Sequence, residues 1–399
     1  MTEHIKTPEL RFSNFLDMWH IHKLSDVATI TGGGTPSTKV SEYWNGEIDW
    51  YTPNEIGERI YAKGSKKKIT NLGYKKSSTK LLPVNTILFT SRAGIGNTAI
   101  LAKEGCTNQG FQSIIPNSEK IDSYFIYTIS NHIKKYALKH AAGSTFLEIS
   151  GKELGKMKLF LPSLKEQQKI GVFFSKLDRQ IELEEKKLEL LEQQKKGYMQ
   201  KIFAQELRFK DENGNDYPDW VTKKLGDIGK VAMNKRIYKN ETTENGEIPF
   251  YKIGNFGKNA DTFITREKFD EYKEKYPYPN VGDILISASG SIGRTIEYTG
   301  EDAYYQDSNI VWLNHNDEVI NKYLKYFYKI VKWSGIEGTT IKRLYNKNIL
   351  NTKIELPTVE EQYKMANFLS KLDKIIDIQI EKIELLKQRK QGLLQKMFV

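Results

Sequence analysis

Ser163 to Phe203 reads SLKEQQKIGVFFSKLDRQIELEEKKLELLEQQKKGYMQKIF, and 195 positions later Thr358 to Phe398 reads TVEEQYKMANFLSKLDKIIDIQIEKIELLKQRKQGLLQKMF. Counted from the preceding pairs Leu161-Pro162 and Leu356-Pro357, 21 of 43 aligned positions are identical, which marks an internal repeat. Both copies carry helix-start signals. Proline disfavours helix for the leucine before it, and Ser163 or Thr358 can then cap a new helix, with Glu166 or Glu361 three residues on to close a capping box.

Beyond the cap the apolar positions alternate in steps of four and three. They are Ile170, Phe174, Leu177, Ile181, Leu188, Leu191, Tyr198 and Ile202 in the first copy, and Met365, Leu369, Leu372, Ile376, Ile383, Leu386, Leu393 and Met397 in the second. This is the seam of a coiled coil about five heptads long. Polar residues interrupt it at the same two places in each copy, Glu184 with Lys195 and Gln379 with Lys390, and such residues cost stability while fixing register. A helix of this length runs roughly 60 Å and cannot bury its stripe alone. A zipper between two chains is one solution. The preferred one is antiparallel pairing within one chain, because the intervening stretch of about 155 residues is long enough to fold into a domain and bring the chain back.

The repeat extends beyond the helices. ELRF at Glu9 to Phe12 returns at Glu206 to Phe209, followed by Trp19 or Trp220 and then by Lys23-Leu24 with Asp26 or Lys224-Leu225 with Asp227. VNTILFTSRAGIGNTAI from Val84 matches VGDILISASGSIGRTIE from Val281, and the segments from Gly143 and Gly338 match up to the two Leu-Pro pairs. The chain is therefore two half-repeats, each a globular domain followed by a long helix. The expected fold class is α+β: mixed domains at 1–160 and 206–355, spacer helices at 161–205 and 356–399. Within the domains Thr86 to Thr90, Asp283 to Ser287 and Ser308 to Leu313 predict strands, and Ser123 to His140 and Val319 to Trp333 predict amphipathic helices.

Composition narrows the function. The 399 residues, 39% of them hydrophobic, suit two to three soluble domains, and no apolar run approaches the length of a membrane span or a signal core. A cytoplasmic protein is expected. Cys106 is the only cysteine, which excludes an internal disulfide and a cysteine-rich zinc site. The net charge of +11 favours a phosphate polyanion as partner. Tyr61 to Lys80 carries seven lysines and no acid, so Lys66, Lys67 and Lys68 are candidates for DNA phosphates; a solvated lysine-rich loop is the alternative.

Catalytic motifs are missing. Neither Ala93 to Thr98 nor Gly290 to Thr295 has the lysine of a P-loop, and their glycines predict turns with positive φ. No methyltransferase tetrapeptide occurs, and Pro53-Asn54 is reversed and isolated. A nuclease set of Pro218, Asp219, Glu271 and Lys273 can be assembled, but the other half has Met18 opposite Asp219. Among the histidines only His20 and His22 have ligand-like spacing, without acidic or thiol company, and read as surface residues. No metal site is expected.

The openings LPSLKEQQKIGVFFSKLD and LPTVEEQYKMANFLSKLD, each closing a globular half, resemble the specificity subunits of type I restriction-modification enzymes (the HsdS family) along essentially the whole chain. That resemblance implies two target recognition domains joined by an antiparallel helix pair with pseudo-two-fold symmetry, and no catalysis by the chain itself. It implies double-stranded DNA as ligand, two adenine-methylating modification subunits and restriction subunits as partners, and no membrane. S-adenosylmethionine, ATP and Mg would sit on those partners, with no cofactor on this chain.

Two diverged domains can each read one half-site, with helix length setting the gap. Residues shared by both, such as Ile95 with Ile292 and Gly96 with Gly293, then serve the fold or phosphate contact, and those that differ are candidates for base readout: Arg92 opposite Ser289, Asn97 opposite Arg294, Gln112 opposite Asn309. Arginine suits guanine; asparagine and glutamine suit adenine. The competing readings are a coiled-coil scaffold that reads no sequence and a stand-alone nuclease.

Overall fold

The computed structural model describes residues 5–92, 94–143, 147–333, 335 and 342–398. Met1 to His4, Ala93 and parts of the segments matched from Gly143 and Gly338 lie outside them. The chain forms two compact units, residues 1–186 with 381–399 and residues 187–380. Each unit therefore holds one globular half-repeat and parts of both long helices.

Those helices span Leu164–Phe203 and Val359–Met397. In the first unit Asp178 pairs with Lys390, Glu184 with Lys382 and Glu185 with Lys387. In the second Lys195 pairs with Asp373. From Asp178 to Glu184 the partners run back from Lys390 to Lys382, so the pairing is antiparallel and within one chain, not a zipper between chains. The seam is closed as its spacing predicts: Ile170, Phe174, Leu177, Ile181, Leu369, Ile383 and Leu386 are buried, and Leu188, Leu191, Leu372 and Ile376 are half-buried. Each fully buried aliphatic or aromatic side chain contributes about 1.5–3 kcal/mol.

Both helix ends are put to the same use. Phe398, the residue just past the second helix, lies 5.5 Å from Phe125 and 6.1 Å from Phe174, ring centre to ring centre, against the core of the first unit. Phe203, its counterpart, lies 5.5 Å from Tyr323 in the second.

At the helix starts the structure departs from the expected capping box. The backbone N–H of Glu166 does donate to Ser163 Oγ at 3.4 Å, and that of Glu361 to Thr358 Oγ1 at 3.3 Å. The glutamate side chains turn the other way. Glu166 takes two hydrogen bonds from Arg11, at 2.7 and 2.6 Å, and Glu361 takes two from Arg208, at 3.1 and 2.8 Å. These arginines belong to the two ELRF segments, and a fully buried carboxylate needs a charged fork more than a single backbone donor.

In the first unit a five-stranded sheet runs Ala28–Gly32, Gln112–Pro116, Ile87–Phe89, Thr98–Leu101, Tyr61–Ala62. Beside it Trp44–Tyr51 pairs antiparallel with Lys67–Ile69 and parallel with Gly105–Thr107. The second unit repeats the plan with four strands, Gly229–Ala232, Ile310–His315, Ile284–Ser287 and Thr295–Glu297, while Ile248–Tyr251 pairs parallel with Tyr304–Tyr305. The three predicted strands are present within a residue or two at each end. The predicted helix from Ser123 to His140 is broken at Ile129 into Ser123–Thr128 and Ser130–His140, and its counterpart shortens to Asn321–Ile330. Among the described residues no helix is long and apolar enough to cross a membrane.

Candidate nucleic-acid interface

The sequence pair TSRAGIGNT and SASGSIGRT builds the same turn in both units. Thr90 donates its hydroxyl to the Gly94 carbonyl at 2.6 Å and accepts from the Asn97 N–H at 2.9 Å. Ser287 donates to the Ser291 carbonyl at 2.5 Å and accepts from the Arg294 N–H at 2.9 Å. Gly96 and Gly293 have φ of 93° and 81°, the region that excludes most side chains. A Cβ on Gly96 would stand 2.3 Å from Lys134 and one on Gly293 2.7 Å from the Trp333 indole nitrogen. The glycines thus serve the turn, and the turn presents the residue just after them, Asn97 or Arg294.

Facing that residue is the loop after a strand ending in tyrosine, Tyr51-Thr52-Pro53-Asn54-Glu55-Ile56-Gly57 or Tyr251-Lys252-Ile253-Gly254-Asn255-Phe256-Gly257. Gly57 lies against Asn97, since a Cβ there would be 3.1 Å from its side-chain amide carbon. In the second unit the Arg294 guanidinium donates to the Gly257 carbonyl at 3.3 Å.

Arg92 and Asn97 line a cleft of about 650 Å³ with Asn54, Glu58 and Asn108, walled by Pro53 and Ile56. Arg92 is half-exposed and 4.0 Å from Glu148, a weak surface pair. The cleft therefore presents a guanidinium, a carboxylate and several amides, the groups that match base edges. Asn54, Glu58 and Asn108 were missed in the sequence reading. The parallel between the Tyr51 to Gly57 and Tyr251 to Gly257 segments was the signal that could have found Asn54.

The structure separates the remaining candidates from these. Gln112, half-buried at the head of its strand, pairs with Gly32 and is not among the residues lining the cleft. Ser289 is buried and donates to Asn309 Oδ1 at 2.8 Å, so this pair satisfies itself inside the second unit. Lys67 and Lys68 lie in the strand Lys67–Ile69, and Lys66 immediately precedes it. Lys66 and Lys67 are exposed, Lys68 is half-buried, and Lys67 Nζ lies 5.8 Å from the Trp44 ring centre. The Lys66 N–H donates to Glu55 Oε1 at 2.6 Å, tying the lysines to the cleft loop.

The nuclease set is not gathered. Pro218 accepts through its carbonyl from Arg208, and Asp219 is fully exposed 3.8 Å from the same arginine. Glu271 and Lys273 lie on the helix Arg266–Lys275, paired with Lys275 and Asp302. Among the described residues no group of three or more His, Cys, Asp or Glu is placed to hold a metal. His20 and His22 are exposed on the strand Trp19–Lys23. Cys106 is buried, and burial pushes its thiol up to about 11.

Two α+β units joined by an antiparallel helix pair, each with one variable turn facing a loop, define a repeated recognition protein. The family model described as "Type I restriction modification DNA specificity domain" matches residues 17–193 and 217–388. The chain belongs to the type I restriction-modification specificity subunits, which determine DNA sequence specificity and are non-catalytic. It is 32% identical to the type I restriction enzyme MjaIX specificity subunit of Methanocaldococcus jannaschii, over 95% of this chain and 92% of that protein. A putative specificity subunit of Haemophilus influenzae, S.HindORF215P, is 58% identical over 37% of this chain and 39% of its own length. The crystal structure of the type I S subunit from M. genitalium has the same fold, with a TM-score of 0.59, 18% identity and 99% of both chains covered.

Proposed function

We propose that this chain reads a bipartite DNA site, one half-site per unit, with the gap set by the helix pair. The observation that supports this most is the repeated turn that places asparagine at 97 in one unit and arginine at 294 in the other. A frame held constant with one variable side chain at its tip is what two different half-sites require. Arg92 and Asn97 then contact bases in one half-site and Arg294 in the other, arginine on guanine and asparagine on adenine. Gln112, Ser289 and Asn309 support the frame. Lys66, Lys67 and Lys68 hold phosphates and give affinity without sequence information.

The chain works in the cytoplasm with two modification subunits, which carry S-adenosylmethionine and methylate adenine, and with restriction subunits, which use ATP and Mg. The test is methylome sequencing of a host expressing this chain with matching modification subunits, against a host lacking only this chain. A new adenine-methylation motif of two short blocks with a fixed unspecified gap is expected. Assembly of the complex without a new motif would favour a scaffold that reads no sequence.

A further inference from the structure

The repeated helices carry one feature that neither the apolar seam nor base readout needs. In the first unit Asp178, 7% exposed, accepts from Tyr124 Oη at 2.7 Å and pairs with Lys390 at 2.5 Å. In the second Asp373 accepts from Tyr326 Oη at 2.6 Å and pairs with Lys195. Asp178 and Asp373 are repeat equivalents, and so are the seam lysines Lys195 and Lys390. The tyrosines are not. Gln167 and Gln362 each accept from a backbone N–H where the domain meets the helix, that of Asp122 in one unit and Ile320 in the other. Counted from those anchors, Tyr124 stands two residues on and Tyr326 six, one helical turn apart. The same hydroxyl contact is thus made from different positions, so the contact was retained while its source changed.

We infer that the clusters Asp178–Lys390–Tyr124 and Asp373–Lys195–Tyr326 select the register of the helix pair and dock each globular domain onto that register, making them the residues that specify the gap in the DNA site. This rests on the bipartite reading proposed above. The apolar seam repeats every seven residues, so it tolerates a slip of one heptad. The clusters do not. After such a slip Asp373 would face Leu188 or Ile202 in place of Lys195, and Asp178 would face Ile383 or Met397 in place of Lys390. Both carboxylates would lose their cation inside an apolar seam, where an unpaired charge is strongly disfavoured. One heptad is about 10 Å of helix, roughly three base pairs of DNA.

Glu185 and Lys387, 2.8 Å apart, give a register reporter, because a one-heptad slip would bring Ile380 or Leu394 opposite Glu185. The experiment compares the full-length chain with a variant carrying Asp178→Leu, Lys390→Leu, Asp373→Leu and Lys195→Leu. Zero-length carbodiimide cross-linking with peptide mass spectrometry reads register in the free protein, and methylome sequencing with the modification subunits reads the gap. The wild type should give the Glu185–Lys387 cross-link and a single gap. The variant should keep its helicity and both sequence blocks, lose the cross-link several-fold, and methylate sites whose gaps differ by about three base pairs. A folded variant with wild-type cross-link and a single parental gap overturns the inference.

If the leucine variant does not fold, Lys195→Asp alone should scatter the cross-link, and Lys195→Asp with Asp373→Lys should restore it. An exchange no better than the single change also overturns the inference. A wild type that cross-links as expected yet produces no motif counts against the bipartite reading alone.

Discussion

Trp19 and Trp220 are repeat equivalents, yet Trp220 donates its indole N–H to Glu361 at 3.0 Å while the buried Trp19 N–H finds no acceptor among the described residues. Around them the frame is the same. Arg11 with Glu166 and Arg208 with Glu361 make the same two-pronged ion pair, and the hydrogen bond to the buried glutamate raises the pKa of both arginines. Gln167 and Gln362 bond the proline carbonyls at 3.0 Å each. Where buried charge must be compensated the halves agree; where a neutral donor alone is at stake they drift. The turn tips at Asn97 and Arg294 differ in chemistry, Asn97 half-buried in the cleft and Arg294 exposed.

The largest test of that contrast removes the shared ion pair. Glu361→Ala should cost about 3–5 kcal/mol, since it removes the buried carboxylate that pairs with the Arg208 guanidinium and the acceptor of the Trp220 indole N–H. Glu166→Ala, which takes the buried carboxylate from Arg11 alone, should cost less; urea unfolding of both variants measures the difference. Next comes the tip. Exchanging Asn97→Arg should change one block of the methylated motif and leave the other intact, at about 1–3 kcal/mol of discrimination against the parental base, roughly ten- to a hundred-fold. Loss of both blocks together would place Asn97 in the frame. Lys67→Ala should do the opposite: weaken binding to every sequence, lower the salt dependence by about one phosphate contact, and leave the motif unchanged in a binding titration across salt.

The smallest effect concerns Asp49, aligned with Pro249 in the other half. Burial pushes its carboxyl up, but hydrogen bonds from Ser65 and Lys103 outweigh burial and hold it below the ordinary value of 3.8. Its folded pKa lies below its unfolded one, so its contribution is complete above that ordinary value and is lost as pH falls through the folded one. Asp49→Asn should therefore lower stability at pH 6, with the difference from wild type shrinking below about pH 4; thermal unfolding at both pH values checks it.

The division into two halves, the helices and their seam were legible because long-range repetition and seven-residue periodicity are properties of order along the chain. So were the strand at Ile87–Phe89 and the positive-φ glycines of the turn. The capping box was misread, because a glutamate three residues past a cap bonds backward by default, and only the fold brings Arg11, 155 residues away, within 2.7 Å. Lys195 and Lys390 were visible as polar breaks in the seam, but not their partners.

By itself, then, the sequence determined what repeats: two helices, two domains, an excess of positive charge and a turn with a variable tip. Tertiary structure decided which of the differing residues stand together. It set Asn54, Glu58 and Asn108 beside Arg92 and Asn97, turned Ser289 and Asn309 toward each other, and gave Asp178 and Asp373 their lysines from the opposite helix. The physical reason is the range of the forces: periodicity and turn preferences act over a few residues, whereas compensating a buried charge or shaping a cleft depends on groups that meet only after the chain has folded.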